Sequence, residues 1–332
     1  MANDYIKNGR NLLLRCRCKN NEYKTIEWNW TYIENKETIL ITGKDMSQEK
    51  LLLEEKKKLE EAIVLESLKT EFFANMSHEF KTPLNIIITT VQLITSQSNE
   101  CTCVGSKEKM RSYIKGIEQN SYRLLKLVNN LIDMTKIEEG YYELSLGNYN
   151  IVSVIEEIVD SVSEHIIRKK RNIIFDTNEE EVIIACDPEK IERIILNLLS
   201  NALKYTGENG NINVNLKSDR EKQKVIVSVK DDGIGIAKEY SKIIFERFRQ
   251  AENLFSRRCE GSGIGLSLVK SLVELHGGDV WANTNVDKGA EIIFELPLRE
   301  VKEETKTNIL NDRALGAKIE KYNLEFSDIY SE

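Results

Sequence analysis

Proline is almost missing from this sequence, with three in 332 residues, so long helices would meet few interruptions. No run of about 18 apolar residues occurs, which excludes a membrane-spanning helix within these residues. No apolar h-region follows Met1, so no secretory signal is read there, although an anchor upstream of Met1 stays open. Cysteine is sparse: Cys16, Cys18, Cys101, Cys103, Cys186 and Cys259 are too thinly spread for a disulfide scaffold. They read as reduced thiols of a cytoplasmic protein. The Cys16/Cys18 and Cys101/Cys103 pairs would make a metal site only if brought together, and plain strand and loop thiols are the expectation. Cations are not in surplus (formal net charge -7), so nucleic acid is not an expected partner. The Gly-x-x-x-x-Gly-Lys-Ser/Thr phosphate loop and the His-Arg-Asp and Asp-Phe-Gly sets of protein kinases are absent too. Any nucleotide must be held in another way.

What is present is enough apolar material for two or three domains, 41% of the residues, on a well-charged surface. Residues 11–47 read as three short strands. In the middle one, Ile26, Trp28, Trp30 and Tyr32 alternate with Thr25, Glu27, Asn29 and Thr31. Three strands make a poor domain alone, so they read as the end of something larger. Residues 48–72, rich in Glu, Lys and Leu, carry Leu52, Leu59 and Ile63 on a heptad seam, with Leu65, Leu68 and Phe72 out of phase. That pattern predicts a coiled-coil linker with a stutter, against a single solvated helix as the alternative.

Two long amphipathic helices follow. Phe73, Met76, Phe80, Leu84, Ile87, Val91 and Ile94 form one stripe, and Met110, Ile114, Ile117, Ser121, Leu124, Val128 and Leu131 form another. A polar turn, Ser96 to Lys107, separates them. The stripes are too wide for a lone hairpin to cover, which predicts a four-helix bundle made by two chains, a homodimer. Gly140 stops the second helix. Beyond Asn150, helices (Ile151–Ile167, Glu189–Tyr205, Ser267–Leu275) mix with strands (Asn172–Thr177, Val182–Ala185, Asn211–Lys217, Val225–Lys230, Asp279–Thr284, Glu291–Leu296). This predicts an α+β two-layer sandwich, one mixed sheet with helices on one face. Asp187-Pro188 supplies an N-cap and first-turn proline for the middle helix. Past Arg299 the chain is charged and reads as a solvated tail. The alternative is that its late apolar cluster of Ile319, Tyr322, Phe326 and Ile329 docks on the preceding domain.

Histidine is scarce: only His78, His165 and His276 occur. His78 lies two residues from both Met76 and Phe80, hence about 160–200° from the apolar stripe, on the solvent side. An exposed imidazole can act as a nitrogen nucleophile near neutral pH. Glu79 stands next to it, suited to take up the ring's second proton. Pro83 removes a backbone bond just beyond and is expected to loosen the helix. The run Phe73-Ala74-Asn75-Met76-Ser77-His78-Glu79-Phe80-Lys81-Thr82-Pro83-Leu84 resembles the H-box of the HisKA class of sensor histidine kinases. The resemblance implies that His78 is the phospho-acceptor and Glu79 the general base. It also implies that Glu79 and Thr82 support dephosphorylation of the partner regulator. His276, before Gly277-Gly278, reads as a turn residue, and His165 has no motif around it.

The helix Glu189–Tyr205 carries Asn197 and Asn201 one turn apart, with Lys204 in the next turn, so amide oxygens for Mg²⁺ and an ammonium for phosphate share a face. Asp231-Asp232-Gly233-Ile234-Gly235 follows a strand and lets backbone approach a planar ligand beside a carboxylate. Gly261-Ser262-Gly263-Ile264-Gly265-Leu266 opens a helix, whose N-terminal N–H groups can meet phosphate. Each signal is weak alone. In order, they are similar to the N, G1, F (Phe245 to Phe248) and G2 boxes of the GHKL (Bergerat) ATP-binding fold shared by histidine kinases, gyrase and MutL. That likeness implies ATP and Mg²⁺, with Asp231 at adenine and Asn201 as metal ligand. Asn197, Lys204 and Tyr205 would line phosphates and ribose. Gly233, Gly235, Phe248, Gly261, Ser262, Gly263, Gly265 and Leu266 would shape the pocket and a lid over 249–260, and Arg247 would face the γ-phosphate.

The resemblance thus divides the chain into residues 1–47, the last strands of a PAS domain; 48–71, a signalling coiled coil; 72–142, a HisKA dimerisation and phosphotransfer domain; 148–299, a GHKL-type ATP-binding domain; and 300–332, a tail. It implies a kinase that phosphorylates its own His78 and passes the group to an aspartate on the receiver domain of a separate response regulator. The alternatives are a nucleotide-binding signalling scaffold and a GHKL ATPase without phosphotransfer. The missing first half of the PAS domain suggests a fragment or a start further upstream.

Overall fold

A computed structural model describes residues 11–19, 21–33, 38–97, 106–246, 263–284, 288–302, 322 and 324–327. The chain divides into two compact units, Met1–Thr70 and Glu71–Glu332.

In the first unit, β1 (Leu12–Arg17), β2 (Tyr23–Ile33) and β3 (Thr38–Asp45) form an antiparallel meander in the order β1-β2-β3. Trp28 faces Leu12 on one side and Gly43 on the other. A side chain at position 43 would meet the indole at 3.0 Å, so glycine makes room for the ring. Asp45 ends the sheet and begins the next helix. Its carboxylate accepts from the Ser47 N–H and pairs with Lys24, and these contacts hold its pKa at about 2. Leu12, Leu13, Leu14, Ile39, Leu40 and Ile41 remain exposed.

Helix α1 (Ser47–Gln97) runs without a break. Its first part carries Lys56–Glu60 and Lys57–Glu61 pairs one turn apart, and Leu52, Leu59 and Ile63 lie exposed along the expected seam. Pro83 does not interrupt α1; it is buried, and the helix continues through it. The polar turn lies partly outside the described residues, but Ser96 and Lys107 are helical. Helix α2 (Ser106–Glu138) returns, and Gly140, at φ +74°, follows its end.

Several residues of the expected stripes are exposed within one chain, Leu84, Val91, Ile114 and Val128 among them, and at the start of the first stripe the inward position shifts by one. Phe73 is 52% exposed, and Phe72 and Met76 turn inward with Met134 and Ile264, flanked by Phe80 and Leu131. Adjacent phenylalanines point about 100° apart on a helix, so whichever meets the partner surface is the buried one.

The sandwich has the sheet order β5-β7-β8-β10-β9, formed by β5 (Asn172–Thr177), β7 (Asn211–Asp219), β8 (Lys224–Asp231), β10 (Glu291–Pro297) and β9 (Asp279–Asn283). Only β5 and β7 run parallel. Ile212, Val214 and Leu216 on β7, Val225, Val227 and Val229 on β8, and Ile292, Phe294 and Leu296 on β10 recur every second residue and are buried. They meet α3 (Ile151–Arg168), α4 (Pro188–Tyr205) and α5 (Ile264–Leu275) in one continuous core.

The expected strand at Val182–Ala185 differs in its role. It appears as β6 (Ile183–Cys186) and pairs with a strand the sequence did not suggest, β4 (Gly147–Asn150), in a separate two-stranded sheet. The tail also departs from a fully solvated reading. Phe326 is buried in the sandwich core with its ring beside that of His165 on α3, and Tyr322 packs against the same core.

Candidate active site

Helix α4 organises the site. Asp187 caps it, its side chain accepting from the N–H groups of Glu189 and Lys190, and Pro188 occupies the first turn, where no N–H is needed. The apolar face of α4 is buried, which fixes the rotation of its polar face. Asn197 is buried on that face, and its Nδ2 donates to the Arg193 carbonyl at 2.9 Å, leaving Oδ1 directed elsewhere. Asn201 and Lys204, one and two turns on, are half-buried, and Lys204 Nζ lies 5.5 Å from the Tyr205 ring centroid.

Close backbone approaches draw the other segments to α4. A Cβ at Gly265 would stand 3.0 Å from Asn197 Oδ1, so the start of α5 lies against that amide. A Cβ at Gly233 would stand 2.3 Å from the Tyr205 carbonyl oxygen, so only glycine lets the loop after β8 touch the end of α4. Gly235 (φ +79°) and Gly263 (φ +67°) hold left-handed backbone, the latter as the N-cap of α5. Leu266 packs on the core below. Residues far apart in the chain therefore converge at one end of α4.

Asp231 closes this end. It is buried, and its Oδ1 accepts from the N–H of Gly233 at 2.9 Å and of Ala290 at 3.3 Å. Burial pushes its carboxyl above the usual carboxylate range, against the pull of those two donors. An amine offered to Oδ2 would restore part of the solvation lost on burial. The site thus combines a hydrogen-bond acceptor for a planar amine, glycine backbone free of side chains, and the N-terminus of α5. That set suits a purine nucleotide. Amide oxygen and partial exposure at Asn201 are compatible with a hard cation such as Mg²⁺ beside phosphates.

His78 lies elsewhere, exposed on α1 within the hairpin. The Thr82 hydroxyl donates to the His78 carbonyl at 3.2 Å. Glu79 is partly buried and paired at 3.1 Å with Arg123 from α2. Of the other two histidines, His276 is buried and His165 is half-buried. His276 Nε2 accepts from the Asp187 N–H at 3.1 Å and Nδ1 faces the Leu272 carbonyl at 2.7 Å, and burial lowers its pKa. His165 stacks near Phe326 with its pKa also lowered, chiefly by burial. The buried Cys186 thiol is pushed up to about 12 by desolvation and is chemically inert. Among the described residues no cluster of metal-binding side chains occurs, and Cys16 and Cys18 are free.

Arg247, Phe248, Gly261, Ser262 and the lid at 249–260, together with Cys101, Cys103 and Cys259, lie outside the described residues. Three residues escaped the sequence reading. Arg123 holds Glu79; its only signal was a cation inside the second stripe. Gly289 (φ +80°) has room for no Cβ, which would fall 1.9 Å from the Asp231 carbonyl oxygen, and Ala290 donates to Asp231. The Lys288-Gly289 step before a strand was a turn signal that could have found them.

Comparison with known proteins matches these two regions separately. Residues 68–140 match the His Kinase A (phospho-acceptor) domain, and residues 186–300 match the histidine kinase-, DNA gyrase B- and HSP90-like ATPase domain. The sensor histidine kinase WalK of Bacillus subtilis is 30% identical over 236 residues, 70% of this chain and 37% of that protein. A sensor-like histidine kinase of Rhizobium meliloti is 34% identical over 260 residues, 78% of this chain and 49% of that protein. The chain therefore spans half or less of the length of these relatives. Among solved structures, full-length ShkA in complex with AMPPNP superposes with a TM-score of 0.51 at 28% identity, over 71% of this chain and 46% of ShkA. Histidine kinase ThkA in complex with the response regulator TrrA shares the fold, with a TM-score of 0.52 at 23% identity over 91% of this chain and 83% of ThkA. With a phospho-acceptor domain followed by an ATPase domain of this type, the chain belongs to the sensor histidine kinases of two-component systems.

Proposed function

We propose that this chain is the catalytic part of a protein-histidine kinase that transfers the γ-phosphoryl group of ATP to His78. The observation that carries the reading is an exposed imidazole beside a carboxylate, His78 and Glu79, in the same unit as a cleft where Asn197, Tyr205, Gly233 and Gly265 meet around Asp231. A His78 ring nitrogen attacks the γ-phosphorus. The N–P bond forms, the bond to the β–γ bridging oxygen breaks, and ADP leaves. Glu79 takes up the proton of the other ring nitrogen. Asp231 accepts from the adenine amine, Asn197, Lys204 and Tyr205 line the phosphates and ribose, and Asn201 holds Mg²⁺. When bound, Mg²⁺ would offset the charge building on the phosphates. Phe248, Gly261, Ser262 and Arg247 complete the pocket and lid.

On this reading residues 72–142 are the dimerisation and phosphotransfer domain and 148–299 the ATP-binding domain. Residues 1–47 are the last strands of a PAS domain, 48–71 a signalling coiled coil and 300–332 the tail. The exposed Leu84, Ile88 and Val91 on α1, and Leu125, Val128 and Ile132 on α2, support a homodimer through the hairpin. ThkA is known in complex with a response regulator, which supports a receiver domain as the acceptor in trans, with Glu79 and Thr82 assisting its dephosphorylation. No helix among the described residues is long and apolar enough to cross a membrane.

Incubation with γ-labelled ATP and Mg²⁺ tests the reading. Acid-labile, alkali-stable label that vanishes in His78→Gln and in Asn201→Ala is the expected result. Nucleotide binding without label would make the chain a signalling scaffold, and steady phosphate release without labelled protein would make it an ATPase.

A further inference from the structure

The docking of the ATP-binding domain on the hairpin has a definite sense. Phe72 and Met76 on α1 share one buried cluster with Met134 of α2 and Ile264 at the start of α5, and Ser267 Oγ lies 3.9 Å from the Met134 sulfur. Arg193 of α4 bonds Asp133 and, at 2.7 Å, Asn130 of α2. The face of α1 turned to the glycine-rich helix is therefore the Met76 face. His78, two residues on, points about 200° away and is exposed. Transfer needs the ring nitrogen within roughly 3–3.5 Å of the γ-phosphorus. Docked in this way, a chain's own ATP-binding domain is turned from that chain's His78, so transfer within one chain requires the two domains to part.

A third element bridges the same two domains. Tyr322 and residues 324–327 are drawn together by the Phe326 N–H donating to the Tyr322 carbonyl at 2.9 Å. Phe326 inserts into the sandwich core, 4% exposed, with its ring 5.2 Å from that of His165 on α3. The Glu325 carbonyl accepts from Lys126 Nζ of α2 and, at 3.1 Å, from Ser200 Oγ of α4, so one backbone oxygen is bonded by both domains. The Glu325 carboxylate lies 3.5 Å from the same ammonium, both groups buried. Gln119 Nε2 donates to the Ser327 carbonyl at 3.3 Å. Gln119, Arg123 and Lys126 share one face of α2. The middle one holds Glu79, beside His78. The groove thus offers an apolar seat to Phe326 and a buried cation to Glu325.

We propose that Tyr322 and Leu324–Ser327 act as an intramolecular latch, seated in the groove between α2, α3 and α4, that holds the ATP-binding domain against the hairpin with His78 turned away and so slows autophosphorylation within the chain. The proposal rests on the kinase reading above. A ligand that bound the groove in place of this segment would act as an activator.

The test compares the full chain with Phe326→Ala, which empties the seat, and with Lys126→Gln, which keeps the seat but removes the buried charge. Labelling from γ-labelled ATP should run about tenfold faster in both variants, with ATP affinity unchanged. An excess of a synthetic peptide of residues 316–332 should restore the slow rate in Phe326→Ala. Equal or slower labelling in folded variants overturns the latch. If Phe326→Ala fails to fold, Lys126→Gln decides alone. Absence of label in every form would instead overturn the kinase reading, and the latch with it.

Discussion

The hairpin and the sandwich bury their apolar residues in opposite ways. In the sandwich, three helices and five strands close on one another, and Ile155, Ile194, Val227, Leu268 and Phe294 lose nearly all contact with water. In the hairpin, Leu84, Ile88, Val91, Ile114, Leu125, Val128 and Ile132 stay at 40–55% exposure. Both regions carry strong periodic patterns, so periodicity does not separate them. Closure does: two helices have one seam and two outer faces, whereas a helix layer on a sheet satisfies both. The sandwich is therefore closed within one chain, whereas the hairpin leaves an apolar face open, as the proposed homodimer requires.

The strongest way to break this contrast is to charge the hairpin's open face. Val91→Asp should convert a dimer to monomers, weakening association by at least about 100-fold, because a carboxylate would be buried without a partner. Sedimentation of the variant reads this directly. ATP affinity, a property of the sandwich, should not move. A variant that stays dimeric would mean that the exposed stripe is not the contact surface.

Next comes the sandwich's own site. Asp231→Asn keeps shape and removes charge. Losing a charge-assisted hydrogen bond of roughly 1.5–3 kcal/mol should weaken ATP binding by about 10–150-fold while leaving the dimer untouched. Calorimetric titration checks it. Unchanged affinity would remove Asp231 from the nucleotide site.

The smallest effect concerns His276, whose pKa is lowered by burial. Above the ordinary histidine value of about 6.5, folded and unfolded chains both hold it neutral and it adds no pH dependence. As pH falls through that value, the unfolded chain takes a proton that the folded chain refuses, so stability declines, by at most about 1.4 kcal/mol per pH unit. Protonation would also cancel the Nε2 acceptor that Asp187 N–H uses. Melting between pH 7.5 and 5.5 should therefore fall less steeply in His276→Gln than in the parent chain, with no change in dimerisation.

Legibility in the sequence followed the range of the forces involved. Local signals read well: the Asp187-Pro188 cap, the alternation in β7, β8 and β10, and the glycines that need φ above zero are all decided within a few residues. The strands β4 and β6 pair across some thirty residues of chain, and Gly147-Asn148-Tyr149-Asn150 has neither length nor alternation to announce a strand. The inward turn of Phe72 rather than Phe73 is set by Met134 and Ile264, which lie far along the chain. Gly289 and Ala290 belong to the site only through contact with Asp231, and Phe326 gains its role from a seat on α3. For the candidate site, order and spacing of the boxes single out α4 and the two glycine segments, but the approach of Gly233 to Tyr205 and of Gly265 to Asn197 belongs to the fold.

One measurement bears most directly on the central claim. After incubation with ATP and Mg²⁺, peptide mapping at neutral pH should find a phosphoryl group on exposed His78 alone, with the half-buried His165 and the buried His276 unmodified. Phosphate on either of those two histidines, or none on His78 in a chain that binds ATP, would contradict the account.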